Sequence, residues 1–261
     1  MDVAAVRKAF DEQIRQRQGP SDPLAQVERS DCIVRSVSVG DGWNGVDWSD
    51  LRPETADEVI GEQIVRFAST GRPWEWKYYS YDPPDDLPQR LISAGFTPGP
   101  VEALMMAEIA ELDLEVPPPT AVNLQAVVDE TNVDALVGVH DQVFGGDHSG
   151  LRNQLLSGLA TQPCEVAAVL AVAEGKPIAA SRVEFHEGTE FASLWGGGTL
   201  RDWRGRGVFR SMVSYRAALA SNRGFRYLQV DALPASRPIL LRLGFVQLAT
   251  TTPFVFNGRD N

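Results

Sequence analysis

The residues best suited to chemistry concentrate in one stretch, Leu194 to Val213, which reads LWGGGTLRDWRGRGVFRSMV. An apolar run leads into Gly196-Gly197-Gly198, and Arg204-Gly205-Arg206-Gly207 follows at the mouth of an amphipathic segment. That order predicts a strand, a glycine-rich loop and a helix. A helix N-terminus presents unpaired backbone N–H groups and the positive end of the peptide dipole, and glycines let an anion reach them without a Cβ in the way. The interleaved arginines add charge-assisted donors, so the stretch is built to hold phosphate. It is not a Walker loop, because G-x-x-x-x-G-K-[ST] is absent, and G-x-G-x-x-G fails because Arg210 stands where the third glycine would fall.

Positioning such a loop takes a sheet and packed helices, and the rest of the chain supplies the pattern. Residues 5–17 are helical in pattern, with Gly19-Pro20 and Pro23 as the stop. Cys32–Val39 and Trp43–Trp48 read as a hairpin around Gly40-Asp41-Gly42, and Ala56–Ala68 as a helix with Thr55 available to cap it. Trp74–Tyr81 is an aromatic strand, DLPQRLIS a short helix, Gly95-Phe96 a turn and Val101–Ile109 a strand. Beyond residues 111–119 come a strand (Val122–Val128), two helices (Asp129–Phe144 and Ser149–Leu159) and a hairpin of Val166–Ala173 with Ile178–Phe185. A third strand (Phe191–Trp195), the loop, and a helix striped by Val208, Met212, Tyr215 and Leu219 follow, with Gly224 as its end. Tyr227–Ala232 is a strand, Arg237–Leu243 a short helix and Phe254–Phe256 a last strand.

Composition narrows the function. A hydrophobic fraction of 43% and a charged fraction of 23% over 261 residues are those of a globular protein with room for two domains. A net charge of −11 argues against nucleic acid as partner and favours a cationic amine over an acidic substrate. No apolar run is long enough to span a membrane, and MDVAAVRKAFDEQ has no signal-peptide core, so the expected location is the cytoplasm. Cys32 and Cys164 stand far apart with no C-x-x-C or matching histidine cluster, which points to neither a disulfide framework nor a metal site. Oligomeric state is left open.

The loop resembles the acyl-CoA loop of the GNAT superfamily of N-acetyltransferases, whose motif is [QR]-x-x-G-x-[GA] opening a helix. Arg204 and Gly207 match it, whereas Phe209 stands where that family has a small residue. The order of elements over residues 120–256 is also that of the GNAT fold. The resemblance implies acetyl-CoA as cosubstrate, a primary amine of a small molecule or peptide as acceptor, and direct transfer in a ternary complex. It further implies that Gly197, Gly198 and Thr199 bond the pantetheine arm through their backbones. Arg204, Gly205, Arg206, Gly207, Val208, Phe209 and Arg210 would hold the pyrophosphate, with Arg237 near the phosphates.

The acid–base groups are less defined. Ser193 occupies the position of the catalytic Glu of some relatives, and Leu240 that of the family's usual Tyr acid. Glu190 and Glu184 are the carboxylates left near the cleft as candidate bases, though each better suits a solvated or paired strand-end residue. His140, His148 and His186 read as surface histidines ahead of a substrate contact by one of them, Asp231 and Ser236 as caps, and Trp195 as core ahead of a substrate platform. The departures at Ser193 and Leu240 keep a second class open, a non-catalytic acyl-CoA sensor or interaction module.

The expected fold is α/β with mixed sheets (α+β in arrangement): two GNAT-like domains in tandem, 1–112 and 120–261, joined by the Pro-rich linker 113–119. A shift of 149 residues superposes Tyr78, Asp82, Leu91 and Gly95-Phe96 on Tyr227, Asp231, Leu240 and Gly244-Phe245. It also sets Thr55, Glu58 and Ile60 opposite Arg204, Gly207 and Phe209, so Asp57 and Glu58 would repel a pyrophosphate. The first half is thus expected to be a degenerate copy without a cofactor loop.

Overall fold

The structure is a computed structural model, and it describes residues 1–17, 25–38, 42–161 and 164–258. Two compact units emerge: residues 1–105 with 231–237 and 247–261, and residues 106–230 with 238–246. Residues 247–258, expected in the second half, therefore belong to the first unit.

The first unit opens with α1 (Val3–Phe10), capped by the Asp2 carboxylate, which accepts from the N–H groups of Ala4 and Ala5. The helix then widens into a π-helical turn, Asp11–Arg15, in place of the unbroken helix that the sequence predicts. The Gly19-Pro20 and Pro23 stop and the Gly40-Asp41 part of the hairpin turn lie outside the described residues. β1 (Ala25–Arg29), β2 (Ile33–Ser38) and β3 (Gly45–Ser49) pair antiparallel in succession. α2 spans Ala56–Ala68 as expected, but Thr55 makes no side-chain cap. Asp57 and Glu58 in its first turn suit the helix dipole. β4 (Trp74–Tyr79) runs parallel to β3, and α3 (Leu87–Ser93), β5 (Thr97–Pro98) and β6 (Glu102–Glu108) follow. The core of this unit stacks Phe67 on Trp74 at 4.3 Å, with Trp76, Phe96, Ile60 and Leu87 around them.

The second unit holds β7 (Val122–Ala126), α4 (Glu130–Phe144), α5 (Ser149–Ala160), β8 (Val166–Ala173), β9 (Lys176–Phe185) and β10 (Phe191–Thr199). After a 3-10 turn, Arg201–Trp203, come α6 (Val208–Asn222), β11 (Tyr227–Ala232) and α7 (Arg237–Arg242). The strand order is β11-β10-β9-β8-β7, with only the β10–β11 contact parallel. β8 and β9 are joined through Glu174-Gly175, both left-handed, the two-residue turn whose twist matches a hairpin. One apolar cluster fastens α4 and α5 to the sheet through Val133, Leu136, Leu155 and Leu170, and another fastens α6 through Val208, Met212 and Val169.

The last strand, β12 (Val246–Phe256), is far longer than the expected Phe254–Phe256. It pairs antiparallel with β4 of the first unit over six residues, Thr251↔Tyr79 to Phe256↔Trp74, and β5 adds to it. Phe254 and Phe256 close the first unit's core. In the second unit, the end of β6 lies beside β11, where the Ile109 N–H donates to the Arg226 carbonyl at 2.9 Å.

Among the described residues no helix is long and apolar enough to cross a membrane, and no group of three or more His, Cys, Asp or Glu is placed to hold a metal ion.

Candidate active site

The three glycines belong to a strand, not to the loop that their sequence suggests. β10 runs through them to Thr199, and its register with β9 slips between Trp195↔Arg182 and Gly198↔Ala180. Gly196 and Gly197 thus share the space of one β9 residue, a β-bulge that re-aims the backbone. Packing explains why no side chain is tolerated there. A Cβ on Gly196, whose φ is +57°, would lie 2.4 Å from His140 Cε1 of α4. On Gly197 it would meet the Phe209 ring of α6 at 3.0 Å, and on Gly198 it would meet Val143 and Phe144 at 2.9 and 3.1 Å. The bulge is therefore held from α4 and from α6. The bulky Phe209, a departure from the loop motif, is accommodated by the absent side chain at Gly197.

Beside the bulge the sheet opens. β10 and β11 pair only from Phe191↔Tyr227 to Ser193↔Gln229, and from Leu194 onward β10 has no partner on that side among the described residues. Thr199, at the strand's end, buries an Oγ1 that has no hydrogen-bond partner among the described residues. Arg204 donates from Nε to the Thr199 carbonyl at 2.9 Å, folding the loop back on the strand. Gly205 and Gly207 take φ of +73° and +90°, values open to glycine and costly for other residues. The first α6 bond is Ser211 N–H to the Gly207 carbonyl, so the N–H groups of Val208, Phe209 and Arg210 find no acceptor among the described residues. Arg206 lies over the Trp203 ring at 4.9 Å, and Arg210 makes an exposed ion pair with Asp113 at 3.5 Å. The arrangement is a cradle of free N–H donors and guanidinium groups at the mouth of an opened pair of strands.

The other sequence-derived candidates are distributed more widely. Glu184 stands opposite Ser193 in the β9–β10 register and is tied to Arg182 at 2.8 Å. Glu190 precedes β10 by one residue, with a side chain 42% exposed and paired to Arg226 at 3.4 Å. Six residues of extended chain put it about 20 Å from Gly196. Ser193 is buried, accepts from His186 Nε2 at 2.7 Å and donates to Gln229 Oε1 at 2.7 Å. Leu240 is core. Arg237 is exposed at the start of α7, and Ser236 donates its hydroxyl to the Leu233 carbonyl instead of capping that helix. Asp231, expected as a cap, pairs with Lys77 at 3.1 Å. Trp195, expected in the core, is 38% exposed beneath the Arg182 guanidinium.

Two features depart from the sequence reading: His140, expected at the surface, is buried, and an arginine of α6 lies in the core. On the α4 face, His140, Phe144 and His148 form a ring cluster with centroids 5.3 to 6.2 Å apart. His140 donates from Nε2 to the Gly196 carbonyl at 2.9 Å, and burial pushes its pKa down to about 4, so the ring is neutral. The His140–Phe144 spacing of one helical turn is visible in the sequence, but its target on the bulge is not. On the α6 face, Arg216 is buried without a carboxylate partner among the described residues. It donates to the Met212 and Arg182 carbonyls at 3.0 Å each, and burial lowers its pKa to about 9.

Neither a protein-family model nor a curated protein sequence matches the chain. Solved structures do match its fold. A GCN5-related N-acetyltransferase from Kribbella flavida superposes with a TM-score of 0.72 at 18% identity, over 99% of this chain and 96% of that one. A tandem GNAT protein from the clavulanic acid biosynthesis pathway gives 0.61 at 10% identity, over 92% and 86%. A GCN5-related N-acetyltransferase from Sphaerobacter thermophilus gives 0.59 at 15% identity, over 96% and 86%. At 10–18% identity the likeness is one of overall fold, which this chain shares with those proteins.

Proposed function

We propose that the protein is an acyl-CoA-dependent N-acyltransferase that transfers an acetyl group directly to a primary amine of a small molecule or peptide. One observation carries the reading: the free N–H groups of Val208, Phe209 and Arg210, flanked by Arg204 and Arg206, stand at the end of a strand whose parallel neighbour parts from it at Ser193. The donors suit a pyrophosphate. The parted strands suit an extended pantetheine arm that bonds to Gly197, Gly198 and Thr199, and the unpartnered Thr199 hydroxyl is a buried polar group awaiting a ligand. Acetyl-CoA, once bound, supplies an activated thioester. The chain's own part is to bind it, orient it and accept the amine's proton. Glu184 and Glu190 remain candidate bases, Glu184 being the nearer to the bulge. Leu240 offers no acid, so the departing thiolate takes its proton from water or another side chain, or leaves without a donor.

The first unit reads as a diverged copy of the same fold. Its β1-β2-β3 meander, α2, parallel β4 and α3 repeat the order of β8-β9-β10, α6, β11 and α7. Asp57 and Glu58 open α2 where the second unit has Arg206 and Gly207, which supports the loss of a phosphate site in that copy.

Calorimetry with acetyl-CoA tests the reading. Wild type is expected to bind, and the R204E/G207E variant to lose at least about 100-fold in affinity, the worth of one or two charge-assisted contacts. Thiol release with a panel of amino acids, polyamines, amino sugars and short peptides then identifies the acceptor. Binding without turnover would favour the acyl-CoA sensor, and no binding by folded wild type would remove both readings.

A further inference from the structure

Resting on the acyltransferase reading, the geometry points to Asp141 and His148 as the dyad that takes the proton from the acceptor amine. The two residues are seven positions apart, on either side of the Gly145-Gly146 reversal between α4 and α5. The Asp141 carboxylate accepts twice through Oδ1, from the His148 backbone N–H at 3.0 Å and from its Nδ1 at 2.9 Å. That bond fixes the tautomer: Nδ1 carries the hydrogen, and Nε2 keeps its lone pair. Nε2 has no partner among the described residues, and the side chain is 29% exposed. A base held by a carboxylate on one nitrogen and open on the other is a combination the chemistry needs and a packed structural histidine does not.

Position supports the assignment. The His148 ring stands 5.8 Å from the His140 ring, whose Nε2 is bonded to the bulge carbonyl of Gly196, and 6.2 Å from Phe144, which packs against Gly198. His148 is thus one ring removed from the bulge, on the face opposite Phe209 and Arg216. An amine approaching the bulge from the α4 side would meet Trp195, Arg182 and His148. Glu184 is engaged by Arg182 and serves to hold that guanidinium.

In the transfer step the amine nitrogen bonds to the thioester carbon as Nε2 of His148 takes one of its protons. The Asp141 carboxylate stabilises the resulting imidazolium without itself being protonated. The C–S bond breaks with its electron pair on sulfur, and the proton then passes through solvent to the thiolate, leaving amide, thiol and neutral His148. Asp141 acts here as a positioning residue. The charged and titratable groups around the ring are Asp141 and His140 from α4 and Asp147 from the turn, and Arg182, paired with Glu184 on β9, acts on the neighbouring His140. Arg152, one helical turn on, is held by Asp134 and Glu130.

The test compares wild type with H148Q, H148A, D141N and E184Q, following thiol release from acetyl-CoA with the best amine of the panel, across pH. H148Q is expected to keep acetyl-CoA affinity, to lose on the order of 100-fold or more in kcat, and to lose the acid limb of the profile. Imidazole added to H148A restores part of the rate. D141N shows a smaller fall, about tenfold, with a displaced limb, and carries the same test should the His148 variants fail to bind acetyl-CoA. An H148Q enzyme with wild-type rate, one that is slow with its acid limb intact, or loss of that limb in E184Q alone would overturn the assignment while leaving the acyltransferase reading in place. A wild type that releases no thiol with any amine would overturn both.

Discussion

His140 joins the stability of the second unit to pH through a single hydrogen bond. Its Nε2–H reaches the Gly196 carbonyl, and burial holds the ring's pKa at about 4, against about 6.5 in an unfolded chain. Between those values the unfolded chain binds a proton that the folded chain refuses, so stability is full above pH 6.5 and is lost as pH falls toward 4. At pH 5 the loss amounts to about 2 kcal/mol. H140Q, which retains an N–H donor but does not titrate, is expected to flatten the dependence of Tm between pH 6.5 and 5, and parallel curves for the two proteins would refute the linkage. The facing residue makes a sharper prediction. An alanine at Gly196 combines a φ of +57° with a Cβ 2.4 Å from the His140 ring. G196A should cost about 3 kcal/mol or more, from strain and overpacking together. In the H140A background it should cost less, because the strain and a 3.2 Å contact with Arg182 Nη1 remain but the ring clash is gone, and a double-mutant cycle by denaturant unfolding measures the difference.

At the level of elements, the π-helical turn after α1 turns Arg15 inward, where it bonds Asp82 through both terminal nitrogens at 2.9 and 2.7 Å, with its guanidinium 4.0 Å from the Tyr79 ring centroid. Both partners are buried, so removing one strands the other's charge. R15M should cost about 3–5 kcal/mol by denaturant unfolding. The double variant R15M/D82N should cost clearly less than the sum of its singles, since the side-chain oxygen left at position 82 can still accept from the Tyr79 N–H, as the Asp82 carboxylate does. Nothing in AVRKAFDEQIRQR announces the wider turn, and the carboxylate that Arg15 meets there lies far along the chain. Elements whose cause is local are legible: α2 has a helical stripe, and the β8–β9 hairpin has a Glu-Gly turn. β1 is not, since AQVER buries only Ala25, and neither is most of β12, where threonines and Pro253 dilute the alternation. The phosphate cradle can be read because glycine and arginine act there through backbone and charge at fixed offsets. Gly196–Gly198 look like loop in the sequence because their absent side chains answer to α4 and α6, not to a turn. The His140, Asp141 and His148 cluster is hidden for the same reason, since the Gly145-Gly146 reversal that folds His148 back onto Asp141 has no signature in spacing.

For the molecule as a whole, the proline connector at residues 117–119 lies inside the second unit, which begins at residue 106, and does not cut the chain into self-sufficient pieces. A fragment of residues 1–119 retains β1 to β5, α2 and α3, and lacks β12. The edge of β4 would then show six residues of unpaired backbone, and Trp74, Phe96 and Trp76 would lose Phe254 and Phe256 from their cluster. An exposed aromatic edge of that length favours aggregation over folding. The fragment is therefore expected to show no near-UV dichroism from its buried tryptophans and no cooperative melt. The full chain carrying F254A should stay folded but lose about 3–5 kcal/mol, the usual cost of deleting a buried phenylalanine. Its unfolding, followed by the fluorescence of the first unit's tryptophans, should begin at lower denaturant. A fragment 1–119 that melts cooperatively at the wild-type midpoint would mean that β12 is dispensable. The first unit would then be a domain closed on itself, and the pairing of the chain's last strand with β4 would play no part in its folding.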